Sequence, residues 1–262
     1  VVERYRPGQD DLVIDIGCND GTLLSGFQRH GVRVLGIDPA ENLADLTAES
    51  GIDRYVGFFN SNTAKEIADR WGKASVVTAT NTFPHIPDLP DFVEGVRTVL
   101  TPEGVLVLEM HYLVDLLEQG AFDTVYHEHV SYWALGPAKK LFEGFDMEVT
   151  NAERLPLHHG QLRLFVQRKS QGQVSPAVVE LLQEEGSKGV GDFGTYERFA
   201  DRAQQVKRDL RRLLSDLLAQ GKKVVGYGAP AKASTLLAFL EIGRETLEYI
   251  ADVSPLKQGR YT

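Results

Sequence analysis

The chain has 262 residues, of which 42% are hydrophobic, 9% aromatic and 25% charged, as in an ordinary soluble globular protein. Its 28 Lys and Arg residues against 37 Asp and Glu residues give a net charge of −9, which disfavours a nucleic-acid partner. No apolar stretch approaches the roughly 20 residues of a membrane span, and the N-terminus lacks a signal peptide, so we expect a cytoplasmic protein without a membrane partner. A single cysteine, Cys18, excludes an internal disulfide framework and an all-cysteine metal cage within this chain.

The first half of the chain alternates strand-like with helix-like segments. Short runs rich in β-branched residues predict strands buried on both faces, at residues 12–16, 32–38, 75–81 and 104–111. Helix-capable stretches lie between these runs, around residues 21–30, 42–49, 63–71 and 91–100. A turn at residues 101–104 stops the last of these helices. The strict alternation predicts an α/β fold with a parallel, doubly wound sheet.

The pattern changes after residue 111. Residues 112–135 form an inserted segment, and a helix follows near residues 137–144. Two strands of alternating character are then predicted at residues 147–154 and 161–169. A terminal pair of strands of this kind usually closes such a sheet with one antiparallel strand.

The length suggests two domains. We assign residues 1–170 to the first domain, with the insertion at about 112–135, and residues 171–191 to a connection in which 178–185 could form a helix. Residues 192–262 predict a second, smaller Rossmann-like α/β domain. Its elements are a long amphipathic helix, a strand, a glycine turn, a helix and a strand, predicted at 192–221, 223–227, 228–230, 231–240 and 247–252. The chain starts without a methionine, so we expect a longer polypeptide and a second domain that is incomplete here.

The turn after the first predicted strand has the spacing acid-x-G-x-x-x-G. Asp15 ends the strand, and Gly17 and Gly21 follow it, whereas dinucleotide sites use G-x-G-x-x-G around a pyrophosphate. The observed spacing suits a cofactor that has an ammonium group and no phosphate, because glycines let a ligand approach the backbone and Asp15 offers a carboxylate. Asp38, at the end of the next strand, is placed to accept hydrogen bonds from both ribose hydroxyls. S-adenosylmethionine fits both demands.

A structural explanation of the same residues is that the two glycines serve a tight turn and that Asp38 caps a helix. Asn81 favours the ligand site, because it ends a strand at the carboxyl edge of the sheet, where ligands bind in such folds. The predicted cofactor-binding residues are Asp15, Gly17, Asn19, Gly21, Asp38 and Asn81.

Histidines concentrate in and around the inserted segment. Six of the seven lie between residues 85 and 159, and Tyr126-His127-Glu128-His129 places four titratable side chains in a row. Metal binding is disfavoured, because the spacing is not H-E-x-x-H even though His127 and His129 could share one face of a strand, and we expect no metal site. Three further roles are a satisfied structural cluster, substrate recognition and acid–base catalysis. We favour catalysis, in which an imidazole takes a proton from carbon and a phenol or second imidazole stabilises the oxyanion.

The chemistry of methyl transfer connects this cluster to the cofactor turn. Transfer to oxygen or nitrogen needs little beyond alignment, whereas transfer to carbon needs an enolate. A cluster of proton acceptors and oxyanion donors therefore favours methylation of a carbon next to a carbonyl. An O- or N-methyltransferase is an alternative, and so is a non-catalytic binding or scaffold protein. An NAD-dependent oxidoreductase is disfavoured by the glycine spacing.

The sequence resembles the bacterial S-adenosylmethionine-dependent sugar C-methyltransferases, which act on thymidine-diphosphate-linked 4-keto-deoxysugars. The resemblance covers most of the chain, and its most specific blocks are YHEH and the later GYGAPAK turn. The matching blocks are DIGCNDGTLL (15–24), GIDPAENLA (36–44), NTFPHIPDL (81–89), LEMHYLVDLLEQGAFDTVYHEHVSYW (108–133), HGQLRLFV (159–166) and GYGAPAKASTLL (226–237).

The resemblance implies a role for each part of these blocks. His129 would be the general base that removes the proton alpha to the C4 ketone. Supporting polar groups around the keto-sugar and its enolate would be Tyr126, Glu128 and His85. The second domain would help to hold the nucleotide-sugar, and the predicted substrate-binding residues are His127, Tyr227 and Lys232. The family usually opens with a cysteine-rich zinc module, so zinc is expected only in an N-terminal module outside this chain.

Overall fold

The structure is a computed structural model, and it describes residues 1–44, 50–157 and 159–260. The chain forms two compact units, each built from two stretches of sequence. The first unit comprises Val1–Asp115 and Val130–Lys188, and the second comprises Leu116–His129 and Gly189–Thr262. Much of the inserted segment therefore belongs to the second unit, whereas the predicted boundaries assign all of it to residues 1–170. Those boundaries stay a prediction.

The first unit contains one mostly parallel sheet. Its strands are β1 Leu12–Ile16, β2 Arg33–Asp38, β3 Asp53–Val56, β4 Ala74–Thr80, β5 Leu100–His111, β6 Met147–Leu155 and β7 Gln161–Arg168. They lie in the order β3-β2-β1-β4-β5-β7-β6, and β7 runs antiparallel to both of its neighbours. The central strand β1 is buried along its whole length, because its run of β-branched and apolar residues suits a sheet covered on both faces. The structure confirms the predicted doubly wound α/β sheet with one antiparallel strand.

Helices of the first unit connect these strands. They are α1 Val2–Tyr5, α2 Thr22–Gln28, α3 Ser61–Trp71, α4 Leu89–Val99, α5 Leu113–Gln119, which continues into the second unit, α6 Leu135–Glu143 and α7 Pro176–Ser187. Side chains just before α3, α4 and α7 accept backbone N–H groups of the first turn, and these capping residues are Asn60, Asp88 and Ser175. Most of the helix predicted at 42–49 lies outside the described residues, and Glu41–Leu43 form a short 3₁₀ turn.

One strand of the sheet is not predicted from the sequence, and one predicted turn is wrong. β3 lies at Asp53–Val56, where no strand is assigned, as a short edge strand whose polar sequence DRYV has no buried run. The turn predicted at 101–104 is part of β5. Pairing with β4 moves from Ala74 opposite Leu100 to Val76 opposite Val105, so the intervening residues bulge out of the ladder without ending the strand.

The second unit contains a β-α-β arrangement. Its helices are α8 Phe193–Ala219 and α9 Ala233–Leu240, and its strands β8 Gly226–Tyr227 and β9 Ile250–Ala251 pair in parallel. Both strands are shorter than the predicted runs at 223–227 and 247–252, since a two-stranded ladder without further partners supports few hydrogen bonds. In the part of the chain that the structure describes, no helix has both the length and the apolar character needed to cross a bilayer.

Candidate active site

The predicted cofactor turn of the first unit is held by Asp38. The Asp38 carboxylate accepts the backbone N–H of Asn19 at 2.9 Å through Oδ2 and that of Ala40 at 2.8 Å through Oδ1. The Arg54 guanidinium lies 3.3 Å from the same carboxylate and donates to the Asn19 and Ala40 carbonyl oxygens. A carboxylate has about four lone-pair sites, so Asp38 keeps acceptor capacity for the hydroxyl groups of a ligand. These contacts therefore fix the turn and leave the Asp38 carboxylate able to accept hydrogen bonds from a ligand.

Asp15 is buried rather than presented to a ligand. Its residue is 3% exposed, and Oδ1 accepts the Thr78 hydroxyl at 2.6 Å. Burial raises the pKa of Asp15; the Thr78 hydrogen bond opposes this shift and the nearby Asp38 charge adds to it, and together they place the pKa at about 7. A direct contact between Asp15 and a cofactor ammonium group stays a prediction.

The two predicted glycines both have a left-handed backbone conformation. Gly17 has φ 78° and Gly21, which precedes α2, has φ 81°, values that favour glycine. A Cβ at Gly17 would also collide with the Thr82 hydroxyl. The structural explanation of these glycines therefore holds, and a ligand contact with them stays a prediction.

Asn81 has an unpaired side-chain oxygen at the carboxyl edge of the sheet. It directly follows β4 with φ 54°, and its backbone N–H donates to the Glu109 carbonyl at 2.7 Å. Its Oδ1 atom is buried and has no hydrogen-bond partner among the described residues. An unpaired buried acceptor costs about 1–3 kcal/mol, so this oxygen favours a ligand that brings a donor.

The residues Tyr126–His129 form a turn in the second unit. The His129 backbone N–H donates to the Tyr126 carbonyl at 3.1 Å, and residues 126–129 are not part of a strand. The idea that His127 and His129 share a strand face is therefore wrong. The Tyr126 ring lies 4.6 Å from the His129 ring and 6.0 Å from the His127 ring, measured between centroids. The turn brings the phenol and the predicted base together.

The His129 ring has a defined orientation. Its Nδ1 atom lies 2.9 Å from the Thr124 carbonyl oxygen. A carbonyl only accepts, so Nδ1 donates and the neutral ring uses Nε2 to take up a proton. Thr124 is itself buried, and its hydroxyl donates to the Ala121 carbonyl at 2.7 Å within the 3₁₀ turn Phe122–Thr124. The chain thus provides a fixed partner that selects one tautomer of His129.

Tyr126 is suited to donate a hydrogen bond. Partial burial raises the pKa of Tyr126, and the Glu128 charge raises it further. The phenol therefore keeps its proton throughout the neutral range. Glu128 and His127 are both exposed at the surface of the turn.

The predicted substrate-binding residues Lys232 and Tyr227 lie in the same unit as this turn. The Lys232 ammonium group forms a 2.7 Å ion pair with Asp123, which lies in the 3₁₀ turn that leads to Tyr126. Phe122, the neighbour of Asp123, packs on Phe239 of α9 with 5.0 Å between ring centroids. Tyr227 ends β8 and is 84% exposed.

His85 lies in the first unit, at the end of the 3₁₀ turn Phe83–His85. The preceding Phe83 is fully buried and packs on Trp133 at 4.9 Å between ring centroids. The Pro84 carbonyl accepts the backbone N–H groups of Val130 at 3.0 Å and Ser131 at 3.3 Å, which fixes the returning end of the insertion to this loop. The His85 side chain is exposed beside these contacts.

The structure distributes the predicted residues over both units. The first unit holds His85 and the six predicted cofactor residues, of which hydrogen bonds join Asn19 to Asp38. The second unit holds Tyr126, His127, Glu128, His129, Tyr227 and Lys232. Among the residues that the structure describes, no group of three or more His, Cys, Asp or Glu side chains could hold a metal ion.

Sequence reasoning missed three residues that shape these sites. Arg54 lies in β3, a strand that has no sequence signal of its own. Thr78 lies in a predicted strand, and its spacing from Asp15 says nothing about their hydrogen bond. Thr124 acts through its backbone carbonyl, which every residue possesses.

Comparison with known protein families identifies the first part of the chain. Residues 2–152, more than half of the chain, match the family model described as a methyltransferase domain. The chain belongs to this family. Residues 156–262 match a second model, described as the C-methyltransferase C-terminal domain. The expected methyltransferase fold is thereby confirmed.

Similar proteins include other methyltransferases. C-methyltransferase NovU from Streptomyces niveus is 39% identical over 260 residues, which are 99% of this chain and 62% of that relative. A ubiquinone biosynthesis O-methyltransferase from Acinetobacter baylyi is 26% identical over 136 residues, covering 45% of this chain and 56% of the relative. A solved SAM-dependent methyltransferase from Anabaena variabilis matches with a TM-score of 0.51 and 14% identity over 64% of this chain and 82% of its own.

Some of these matches bear on the fold and others on the type of methyltransferase. The solved structure bears on the fold alone, whereas NovU and the C-terminal family model confirm the likeness to C-methyltransferases. The chain spans 62% of the length of NovU, so the activity of the whole protein is a matter for proposal.

Proposed function

We propose that the protein is an S-adenosylmethionine-dependent C-methyltransferase that methylates the carbon alpha to the ketone of a thymidine-diphosphate-linked 4-keto-deoxysugar. The observation that carries this proposal is the His129 ring, oriented by the Thr124 carbonyl at 2.9 Å and accompanied by the Tyr126 phenol. Methylation of oxygen or nitrogen does not require such a pair. The likeness to C-methyltransferases supports the carbon acceptor, and the resemblance of the YHEH block supports the sugar.

The residues of the first unit fit the cofactor. Asp38 would accept the ribose hydroxyls, and the unpaired Asn81 Oδ1 would accept a hydrogen bond from the ammonium group. Asn19, Gly17 and Gly21 would form the wall of the turn. Asp15 would contribute from its buried position, where it accepts the Thr78 hydroxyl. When bound, S-adenosylmethionine supplies an activated methyl group.

The proton step falls to the second unit. Nε2 of His129 would remove the proton from the carbon next to the ketone. The imidazolium so formed would be stabilised by the hydrogen bond from its Nδ1–H to the Thr124 carbonyl. The negative charge moves onto the ketone oxygen, where the protonated Tyr126 phenol would donate a hydrogen bond. Burial raises the pKa of Tyr126, so the phenol keeps the proton that this hydrogen bond needs.

The remaining predicted residues would hold the substrate. Lys232 immediately precedes α9, so its ammonium group and the first N–H groups of the helix could meet a diphosphate. Tyr227 would offer its exposed ring, and His127, Glu128 and His85 would contribute polar contacts. These roles follow from the resemblance and stay proposals.

Replacing the base tests the proposal. His129→Asn should bind S-adenosylmethionine as the unchanged protein does in calorimetry and lose about 10²- to 10⁴-fold in turnover. It should also lose exchange of the alpha proton with deuterated solvent in the absence of cofactor. His30→Asn, an exposed histidine of the first unit, is the matched control and should keep both activities. Full turnover in His129→Asn would show that His129 is not the general base.

An O-methyltransferase is the second candidate, because the Acinetobacter baylyi relative with that name matches 45% of the chain. Such an enzyme would methylate a hydroxyl acceptor at full rate and would show no solvent exchange at carbon. A non-catalytic scaffold, by contrast, would show neither reaction and no S-adenosylmethionine binding. The same calorimetry and exchange measurements therefore separate the three possibilities.

A further inference from the structure

In the second unit, α5 ends in a left-handed turn. Gly120 follows the helix with φ 68°, and the Ala121 backbone N–H donates to the Leu116 carbonyl at 3.0 Å. This hydrogen bond is the longer of the two bonds in a Schellman motif, in which glycine is favoured because it has no Cβ. The last four carbonyl groups of a helix have no donor within the helix, and the motif provides one for Leu116.

Arg202 of α8 provides donors for two more of these carbonyl groups. Its Nη1 atom donates to the Leu117 carbonyl at 3.0 Å, and its Nη2 atom donates to the Glu118 carbonyl at 3.0 Å. A guanidinium group can make both bonds at once, because its N–H groups form a rigid fork. Its positive charge is also favourable at the C-terminal end of a helix. Arg202 therefore fixes the last turn of α5 from a helix that is distant in sequence.

The guanidinium group of Arg202 also packs closely against the turn. A Cβ atom at Gly120 would lie 3.0 Å from Nη2 and 3.6 Å from Cζ of Arg202. Glycine at this position thus permits both the left-handed backbone and the approach of the guanidinium group. The turn and the arginine fit each other as one unit of structure.

A series of hydrogen bonds joins this turn to the predicted base. Ala121, whose N–H is bound to α5, accepts the Thr124 N–H at 3.2 Å and the Thr124 hydroxyl at 2.7 Å through its carbonyl. The Thr124 carbonyl in turn accepts the Nδ1–H group of His129 at 2.9 Å. Each residue in the series is bound on both sides. A shift of the end of α5 would therefore move the carbonyl group that orients the imidazole.

Contacts with α9 hold the middle of the same segment. Asp123 pairs with Lys232 at 2.7 Å, and Phe122 packs on Phe239 with 5.0 Å between ring centroids. The proposed function also uses Lys232 for the substrate diphosphate, so its pairing with Asp123 would weaken when a second anion binds. Arg202 binds backbone carbonyl groups, and these bonds do not compete with a diphosphate. Arg202 therefore offers the more constant of the two restraints.

We propose that Arg202 is a positioning residue for His129. By holding the last carbonyl groups of α5, it fixes the Thr124 carbonyl and so keeps the imidazole in the tautomer that has its proton on Nδ1. The proposal rests on the proposed function for the catalytic role of His129. Arg202 would act through the backbone of the second unit and would not itself contact the reacting atoms.

The tautomer of His129 provides a direct test by nuclear magnetic resonance of protein labelled with ¹⁵N in its histidines. Protonated and unprotonated ring nitrogens have well separated ¹⁵N shifts, and His129→Asn identifies the signals. Arg202→Met keeps an apolar stem and removes every donor. At a pH where the imidazole is neutral, His129 should change in this variant from the Nδ1–H tautomer to a mixture of both. An unchanged tautomer in folded Arg202→Met would overturn the proposal.

Arg208→Met is the matched control for this measurement. Arg208 is an exposed arginine of the same helix, and its guanidinium group donates to Gln205 one turn earlier. The control should leave the His129 tautomer as it is in the unchanged protein. An equal effect of the two variants would show that the tautomer responds to any change in α8, and it would overturn the role of Arg202.

Kinetics separate positioning from simple stabilisation. Arg202→Met should lower kcat and the exchange of the alpha proton about ten- to hundredfold and leave KM almost unchanged, because a misplaced base slows proton transfer more than it weakens binding. Arg202→Lys should recover part of both rates, since an ammonium group also donates and keeps the charge. A lower urea midpoint for Arg202→Met with an unchanged kcat of the folded protein would indicate a structural role only and overturn the proposal.

Arg202→Lys also decides the question if Arg202→Met does not fold. It keeps the charge and most of the stem, but its ammonium group is a point donor rather than a fork. His129 should then show a smaller, measurable fraction of the second tautomer. A tautomer identical to that of the unchanged protein would overturn the contact with two carbonyl groups.

These outcomes are distinguishable from failure of the proposed function. The tautomer is measured without substrate or cofactor, so it reports the orientation of the ring whatever the protein methylates. Full turnover in His129→Asn, together with a mixed tautomer in Arg202→Met, would refute the general base and leave the positioning by Arg202 intact. Loss of turnover in His129→Asn with an unchanged tautomer in Arg202→Met would do the reverse.

Discussion

The carboxyl group of Asp15 shows how burial of one residue can make stability depend on pH. Its folded pKa is raised to about 7 from an ordinary value of 3.8. Below pH 4 the group is protonated in the folded and unfolded states alike. As the pH rises from 4 to 7, the unfolded state loses the proton and the folded state keeps it, so the free energy of unfolding falls. Above pH 7 this contribution is already lost and becomes constant.

Asp15→Asn should remove this dependence. Between pH 5 and pH 8 the unchanged protein should lose about 2 kcal/mol of unfolding free energy relative to the variant, since one unit of pKa shift corresponds to about 1.4 kcal/mol. Urea denaturation at both pH values measures the difference. Asp10→Asn, at an exposed carboxylate, should follow the unchanged protein. A parallel pH dependence in Asp15→Asn and the unchanged protein would refute the buried-proton explanation.

At the scale of elements, Glu185 connects two helices that are distant in sequence. No side chain at Ala134 caps α6. Instead, the buried Glu185 carboxylate on α7 accepts the backbone N–H groups of Leu135 and Gly136, the latter at 2.9 Å, and the Tyr112 hydroxyl at 3.0 Å. The contact fixes the start of the helix that follows the insertion.

Glu185→Gln should destabilise the first unit. A glutamine retains one acceptor oxygen and introduces an NH₂ group towards one of these donors, so at least one buried donor loses its partner at a cost of about 1–3 kcal/mol. Chemical denaturation measures the loss. Glu180→Gln on the exposed side of α7 is the matched control and should change stability by less than about 0.5 kcal/mol. Similar effects of the two variants would show that Glu185 does not cap α6.

For the whole molecule, sequence patterns predicted what depends on local periodicity and missed what depends on contacts. The runs of β1, β4 and β5 predict a doubly wound sheet, because strands buried on both faces must be apolar throughout. The spacing of the glycine turn and Asp38 indicates a cofactor site, because this spacing too is a local property of the sequence. The hydrogen bonds that join Asp252 and Lys257 to Ala229 could not be predicted, since β9 has only two residues and these contacts form only on folding. The expected cytoplasmic location stays a prediction.

The presence of two compact units leads to a prediction for the molecule as a whole. A ligand that binds only the folded state of its unit suppresses local opening there, by about 2.7 kcal/mol at a concentration one hundred times its Kd. S-adenosylhomocysteine should therefore slow hydrogen exchange of the amides that contact Asp38, namely those of Asn19 and Ala40. Thymidine diphosphate should slow exchange in the second unit at residues 228–232, because the proposed function places its diphosphate at Lys232 and the start of α9.

Peptide-level hydrogen exchange with mass spectrometry measures both effects in one sample series. Helix α3 provides the internal reference, because its capping hydrogen bonds do not involve Asp38. Protection by thymidine diphosphate at residues 15–40, with none at residues 226–254, would contradict the assignment of this nucleotide to the second unit. Each ligand should protect only the unit that binds it, because binding suppresses opening of that unit alone.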